Sequence, residues 1–254
     1  EGVIFKGDST GNGNFNWNYF NPITMSRSIQ YAYDGSGNNA VAGINIKYVP
    51  FNKAAFYGQL AIDELNFTKL SQGGHIDQRL GWQIGFKVFD PFGLKKLYAR
   101  LEYNGARPYT YAHESSLQSY THYNQPLAHP LGANFNEFVG EIGYRWRDLR
   151  FSYRISFAAV GRDSATVNYG NDVYIPDTDA LLGVDSYGNN LGQGLKTKLT
   201  YQTLELAYVV NRASNLHIVL GMKHRVSSNS LGKEENLYVF FGIRTILRNL
   251  YHDF

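Results

Sequence analysis

The feature that most constrains this chain is an alternation of apolar and polar side chains on both sides of the dipeptide Arg147-Asp148. One apolar parity ends at Trp146, and after the dipeptide it resumes at Leu149 and continues to Phe157. In a hairpin with a two-residue loop, the flanking residues face each other and point to the same side of the sheet. Trp146 and Leu149 meet this condition, so the pattern predicts an antiparallel hairpin with one apolar and one polar face.

The same period-two pattern recurs along most of the chain. It predicts about ten strands of about ten residues each, joined as successive hairpins. A further candidate strand, Ile23 to Tyr33, fits less well because Arg27 falls on its apolar parity. The other predicted apolar rows are Ile44 to Tyr48, Phe56 to Ile62, Trp82 to Val88, Leu97 to Tyr103, Phe138 to Trp146, Leu204 to Val210, Leu216 to Met222 and Leu237 to Leu247.

Composition excludes several classes of protein. With 43% hydrophobic and 15% aromatic residues the chain is too apolar to be disordered. A net charge of +3 without charge blocks does not indicate a nucleic-acid partner. No apolar run approaches the roughly 18 residues of a membrane-spanning helix. Because the chain begins at Glu1 without a leader, we expect a mature chain or a piece of a longer one.

Connection lengths alternate as well. Turns near positions 51, 92, 147 and 212 are short, which is typical of one end of an outer-membrane barrel, whereas the opposite end carries long loops. We therefore predict one barrel domain over 1–254, with an irregular segment 1–21. Aromatic residues near the strand ends fit the interface girdles of such barrels, namely Trp82, Tyr103, Tyr144, Trp146 and Tyr208. The predicted long loops are 66–80, 105–136, 162–195 and 226–235, of which 105–136 and 162–195 would be the main extracellular loops.

The charged residues of the polar parity decide between a membrane barrel and a soluble β-sandwich. A sandwich would have to pair these groups in a core or scatter them over a surface, whereas the lumen of a transmembrane barrel hydrates them. The sequence therefore predicts that the aromatic side chains face lipid and that arginines and glutamates face water, with wall ion pairs from Arg100 or Arg145 to Glu141 or Glu102. The predicted lumenal charges are Arg100, Glu102, Glu141, Arg145 and Arg154.

Three segments carry a resemblance to a known family. They are Arg107 to Tyr111 with His113 and the stretch Tyr120 to Phe135, the aromatic-Asn-Pro segment Gly13 to Pro22, and the closing segment Gly242 to Phe254. Together they resemble the capsule-assembly Wzi family of outer-membrane proteins, in particular its Bacteroidetes branch with gliding-motility proteins of the RemB type. Members of that family are taken as barrels of roughly 18 strands. The resemblance therefore implies that these ten strands are the C-terminal part of a larger barrel.

The resemblance also implies a function. It suggests a Gram-negative outer-membrane protein at the cell surface that retains capsular polysaccharide or exopolysaccharide without catalysis or a cofactor, with a link to gliding or adhesion. Its partners would be outer-membrane lipid, lipopolysaccharide, the surface polysaccharide and other outer-membrane proteins. Two other functions stay open: a structural subunit of a larger outer-membrane assembly, and an outer-membrane hydrolase.

The loop 105–136 gathers aromatic and neutral polar side chains of the kind that bind sugars. Flat rings lose little entropy on binding, and amides and imidazoles bond to hydroxyl groups. An equal alternative is that this loop, with Pro108, Pro126, Pro130 and Gly132, folds inward and packs on itself. Loop histidines without zinc-site spacing, such as His129, do not favour a metal. The candidate polysaccharide-binding residues are Tyr109, Tyr111, His113, Tyr120, His122, Tyr123, Asn124, Gln125 and Asn134.

Overall fold

The computed structural model describes residues 2–4, 39–122, 125–178 and 185–245, and over these residues the protein is all-β. Two 3-10 helices, Phe67–Gln72 and Pro91–Gly93, lie in connections. No helix in the described ranges has the length and apolar character needed to cross a membrane. The strands are β1 Gly2–Ile4, β2 Asn39–Phe51, β3 Ala54–Leu65, β4 Gln78–Phe89, β5 Leu97–Ala106, β6 Thr121–His122, β7 Gln125–Pro126, β8 Phe135–Trp146, β9 Leu149–Arg162, β10 Leu195–Asn211, β11 Leu216–Asn229 and β12 Gly232–Arg244.

Ten of these strands form one antiparallel sheet in the order β1-β2-β3-β4-β5-β8-β9-β10-β11-β12. Strands β6 and β7 form a separate small hairpin within the connection between β5 and β8. Long strands that follow one another along the chain are neighbours in the sheet, as expected for consecutive hairpins. Over the described residues β12 pairs with β11 alone, so the sheet is open in this part of the chain.

The predicted Trp146-Leu149 hairpin is confirmed. These two residues are directly opposed, and Arg147 in the turn has a φ of 52°. One end of the strands, which we call the turn end, carries the short connections β2–β3, β4–β5, β8–β9 and β10–β11. The other end of the strands, the loop end, carries the long connections after β3, β5 and β9.

The prediction of a long loop over 226–235 is wrong. β11 ends at Asn229 and β12 begins at Gly232, so Ser230 and Leu231 alone connect them. The side chain of Asn229 accepts the backbone N–H groups of Leu231 and Gly232, which closes a tight turn. Polar composition predicted the loop here, but an Asn-Ser-Leu-Gly sequence forms a short hairpin equally well because Asn and Gly satisfy the turn locally.

Some predictions fall outside the described residues. These are the candidate strand Ile23 to Tyr33, the segment Gly13 to Pro22 and the closing residues after Thr245. Within the predicted irregular segment 1–21, Gly2–Ile4 pairs with Asn39–Val41 as a short strand.

One face of the sheet, the apolar face, carries a continuous set of aliphatic and aromatic side chains that nothing in the described structure covers. Ile46, Ile84 and Phe241 are 66%, 65% and 72% exposed. The register continues this face from strand to strand: Ile46 is level with Ile84, Tyr103, Phe138 and Phe157. A soluble sheet would bury such a surface, because contiguous apolar patches of this extent are rarely left in water.

The opposite polar face is organised in rows that run across the strands. At the loop end, Gly43, Ala61, Gly81 and Ala106 form a row of small residues. The next row toward the turn end consists of polar side chains, Asn45, Gln59, Gln83, Asn104 and Glu137. Further rows carry ionic groups and end at the turn end in Lys96, Arg145 and Arg150.

The predicted wall ion pairs are made by Arg100. Its guanidinium lies 3.2 Å from Oε1 of Glu102 and 2.6 Å from Oε2 of Glu141. The register explains the second pair, since Arg100 is directly opposite Glu141, which in turn is opposite Arg154. Arg145 and Arg154 have exposed side chains on the same face.

Candidate functional site

The long connections fold back onto the polar face at the loop end. There the row of small residues leaves room for side chains of the 107–134 loop to approach the strands. A Cβ atom at Gly81 would overlap the hydroxyl group of Tyr111, so this position requires the absence of a side chain. Tyr111 joins Ala106, Phe135 and Val160 in a small apolar cluster between loop and sheet.

The carboxylate of Asp63 fixes the loop to the end of β3. Its Oδ2 accepts the backbone N–H of Tyr111 at 2.8 Å, and its Oδ1 lies 3.0 Å from Nε2 of His113. The side-chain amide of Asn39 donates to the same Oδ1 at 3.3 Å. Asp63 is completely buried, so these contacts replace the hydration of its charge.

Arg79 at the start of β4 joins two long loops. Its guanidinium donates to the carbonyl oxygen of Ala112 in one loop and forms a buried ion pair with Asp177 in the other. Its Nε also lies 3.5 Å from the carboxylate of Glu64. Breaking such an ion pair leaves an unpaired charge in a poorly hydrated place, so the pair holds the two loops at the start of β4.

Asn134 holds the layer together at the other end of the first loop. Its side-chain Nδ2 donates to the carbonyl oxygens of Gly161, Tyr169 and Gln193 at 2.7, 3.2 and 3.1 Å. Its Oδ1 accepts the N–H of Gly192 at 2.8 Å. Asn134 is completely buried, and both the nitrogen and the oxygen of its side-chain amide bond to the protein.

Tyr109 and Tyr111, the two buried tyrosines of the loop, help to hold the loop in place. Tyr109 is completely buried and its hydroxyl donates to the carbonyl oxygen of Asn168 at 3.0 Å. Burial raises the pKa of the Tyr109 hydroxyl. Burial, together with the charge of Asp63, raises the pKa of the Tyr111 hydroxyl to about 12. Both phenols are therefore neutral at physiological pH.

Two cavities remain between the loop and the polar face, one on each side of Tyr111. The first, of about 300 Å³, is bordered by Gln59, Gln83, Asn104 and the ring of His129. The second, of about 390 Å³, is bordered by Asn45, Gln59, Tyr120 and Leu127. Their volumes are at the lower end of those that hold small organic ligands.

The floor of both cavities is the row of neutral amides described above. Asn45, Gln59, Gln83 and Asn104 stand on neighbouring strands in register, so four amides line one surface. Asn104 is buried, and its Oδ1 has no hydrogen-bond partner among the described residues, while its Nδ2 donates to Glu137 at 3.2 Å. The floor thus offers donors and acceptors without a formal charge, and one buried acceptor is unused.

An aromatic wall stands beside this floor. The imidazole of His129 is stacked on Phe135 with 4.4 Å between ring centres, and its Nε2 lies 3.1 Å from Oε2 of Glu137. On the other side, Tyr111 and Tyr120 are 5.7 Å apart, centre to centre. Rings on the sides and amides beneath are the groups that bind the flat faces and hydroxyls of sugars.

The sequence-predicted candidates divide into three groups. Tyr111 and Tyr120 border the cavities. Tyr109 and Asn134 are buried and bond within the protein, and His113 contacts Asp63, so these three shape the loop. His122 and Gln125 are exposed on the β6–β7 hairpin, and Tyr123 and Asn124 lie outside the described residues.

Sequence reasoning missed the residues of the floor and the His129-Glu137 pair. Gln59, Gln83 and Asn104 were visible only as polar positions of alternating strands. They become a site once the register places them side by side, and that register depends on loop lengths and on the bulge between Ile62 and Glu64.

Comparison with known proteins returned no matching protein-family model, curated protein or solved structure. The structure establishes an all-β protein with an open antiparallel sheet over the described residues. The resemblance to the capsule-assembly family stays a prediction.

Proposed function

We propose that this sheet is part of the wall of an outer-membrane β-barrel and that the cavity floor of neutral amides binds a surface polysaccharide. The observation that carries the proposal is the row Asn45, Gln59, Gln83 and Asn104 beneath the rings of Tyr111, Tyr120 and His129. Among the described residues that border the two cavities, His129 is the only Lys, Arg, His, Asp or Glu, which favours neutral hydroxyl-rich segments as ligands.

The dimensions of the apolar face support the membrane part of the proposal. Trp82 is level with Asn136, ten residues before Trp146 on β8. Ten residues at about 3.4 Å each, tilted by about 40°, span about 26 Å, close to the apolar band of about 25 Å in such barrels. Because open sheet edges do not occur in hydrocarbon, the edge of β12 must find a partner in a closed wall.

Binding of polysaccharide can be tested with the purified protein in detergent micelles. Two probes are suitable: an array of neutral and acidic oligosaccharides, and the polysaccharide shed by the source bacterium. We expect saturable binding that Gln59→Leu and Gln83→Leu each weaken about tenfold, since a lost hydrogen bond to a ligand costs roughly 1–2 kcal/mol. Thr203→Val removes a polar group from the same face outside the cavities and is the matched control.

Either of two results would overturn the proposal. If both glutamine variants bind like the parent protein, or if Thr203→Val loses as much affinity, the amide floor is not the binding site. Folding of each variant is checked by circular dichroism and by resistance of the loops to protease.

A structural subunit of a larger outer-membrane assembly is the second candidate. It is favoured by the edge strand β12, where Leu237, Tyr238 and Val239 are exposed and one strand edge has no partner among the described residues. Cross-linking from a photoreactive residue at Val239 in native membranes would distinguish the two. Capture of a different protein supports a subunit, whereas cross-links within the same polypeptide support a self-contained wall.

A further inference from the structure

At the turn end of the polar face, a row of cationic side chains has no carboxylate partner among the described residues. The carbonyl oxygen of Lys96 accepts the N–H of Arg145, and Arg145 is directly opposite Arg150. Three cationic side chains therefore stand in one row: Lys96 directly before β5, Arg145 on β8 and Arg150 on β9. Like charges directly opposite each other across strands are destabilising.

The nearest carboxylates are committed to other cations. Asp148 lies 2.6 Å from the guanidinium of Arg212. Glu205 accepts two hydrogen bonds of 2.8 Å from Arg244 in a fork-to-fork arrangement. The ion pairs of the described residues thus leave the row Lys96, Arg145 and Arg150 without a carboxylate partner.

A cavity of about 310 Å³ lies over this row. It is bordered by His217, by the carboxylate of Glu205, which is paired with Arg244, and by the cations Lys96, Arg145, Arg150 and Arg244. A second cavity of about 440 Å³, toward the turns, is bordered by Lys96, Arg145 and Arg150 together with Arg147, Arg212 and the carboxylate of Asp148. The row therefore borders both cavities, and each lining carries more positive than negative groups.

An independent observation points into the first cavity. His217 borders it and is only 3% exposed, yet its Nε2 has no hydrogen-bond partner among the described residues. The Nε of Arg150 is buried and equally unpartnered in the described part of the chain. Buried polar atoms are nearly always satisfied in folded proteins, so two orphaned nitrogens beside one cavity indicate a missing acceptor.

We propose that this cavity, the turn-end site, binds a phosphate-type oxyanion. Such an anion accepts hydrogen bonds from the guanidinium forks of Arg145 and Arg150 and from the imidazole of His217, and it neutralises the row. Lys96 contributes a point charge at the rim. The site is separate from the amide floor at the loop end, and the proposal does not depend on polysaccharide binding.

The test uses inorganic pyrophosphate and isothermal titration of the purified protein in neutral detergent at low ionic strength. We expect saturable binding with a stoichiometry of one, weakened at least tenfold by Arg150→Gln and by Lys96→Gln. Lys223→Gln is the matched control, because Lys223 is an exposed cation on the same face two rows away. Its affinity should stay within twofold.

A second readout guards against misfolded variants. Arg150→Lys keeps the charge but loses the fork, so it should bind with intermediate affinity. In the parent protein, pyrophosphate should shift the ¹⁵N resonance of His217 Nε2. Absence of saturable binding, an unmoved His217 resonance, or an equal loss in Lys223→Gln would each overturn the proposal.

Two sources can supply the same phosphate chemistry. If the natural ligand is a soluble phosphate, pyrophosphate should bind in nanodiscs of phosphatidylcholine as it does in detergent. If a lipid headgroup occupies the site, adding phosphatidylglycerol to the nanodisc abolishes the pyrophosphate titration in the parent protein. Either result supports the phosphate site and identifies its source, provided that Arg150→Gln removes the effect.

Discussion

The two ends of the polar face differ in how their charged groups are paired. At the loop end, polar groups such as Asp63, Arg79 and Asn134 are buried and bond to the protein itself. At the turn end, Lys96, Arg145 and Arg150 stand side by side without carboxylates, and two buried nitrogens have no described acceptor. The comparison shows that one sheet can pair its buried charges with the protein's own groups at one end and leave a row of cations without a carboxylate partner at the other.

The strongest test of this contrast is the loss of Asn134. Asn134→Ala removes two N–H donors that are shared among three carbonyl oxygens, and one acceptor, from a buried position, which should cost about 3 kcal/mol. Urea unfolding and protease sensitivity of the loops measure the effect. Asn190→Ala, an exposed asparagine of the 163–194 loop, is the control and should change stability by less than about 0.5 kcal/mol. Similar losses of unfolding free energy in the two variants would mean that Asn134 does not hold the loops in place.

The second test concerns the close contact of loop and sheet. Gly81→Ala places a methyl group where the Tyr111 hydroxyl lies, so we expect a loss of about 2 kcal/mol and greater exposure of Tyr111. Gly242→Ala is the control, because a Cβ atom there meets nothing within 4 Å. Tyrosine fluorescence quenching and thermal unfolding check both. An unchanged Gly81→Ala protein would show that the loop does not pack on β4.

The sequence predicted the sheet far better than it predicted the site. Hairpins and strand faces follow from alternation, because the period of side chains along a strand is a local property, as the Trp146-Leu149 pair shows. Which polar residues become neighbours depends on register over many strands. Asp63 and His113 are fifty positions apart, and no local pattern marks them as partners.

The inward folding of the loop was one of two equal expectations and could not be decided from composition. Aromatic and amide side chains suit both ligand binding and self-packing. Tyr109 and Asn134 are buried by packing because glycines leave them space: a Cβ atom at Gly170 would overlap Tyr109, and one at Gly161 would overlap the Asn134 amide. That space is a property of the opposing surface, which the loop sequence does not contain.

A third and smaller effect is expected from pH at the loop end. Burial opposes ionisation of Asp77, but the hydrogen bond from Lys69 and the charges of His75, Lys69 and Arg79 outweigh it and lower the pKa of Asp77. Its contribution is therefore complete above the ordinary aspartate pKa of about 3.9 and is lost as pH falls through the lower folded-state value.

This contribution can be measured as a difference between two proteins. Because the pair is partly exposed, Asp77→Asn should cost under about 1 kcal/mol at pH 7, and the cost should vanish in strongly acidic solution. Denaturant unfolding at several pH values follows it, and Lys69→Gln combined with Asp77→Asn isolates the pair. A cost that is constant with pH would contradict the assignment.

The smallest effect tests the turn end and has the opposite sign. Arg145→Gln relieves the repulsion with Arg150, so it should stabilise the protein by about 0.5 kcal/mol at low salt and by nothing near 0.5 M salt. Arg212→Gln removes a cation that pairs with Asp148 and should not stabilise. If Arg145→Gln destabilises in the absence of phosphate, the row is balanced by a group that these contacts do not include.

The two-residue connection between β11 and β12 has a consequence for how a long chain molecule would reach the cavities. The described parts of the connections after β5 and β9 fold over the polar face, whereas Ser230 and Leu231 alone connect β11 and β12 in a tight turn. If the cavities hold a polymer as proposed, its chain can leave the amide row over this low part of the rim, so that an internal segment and not a free end is bound.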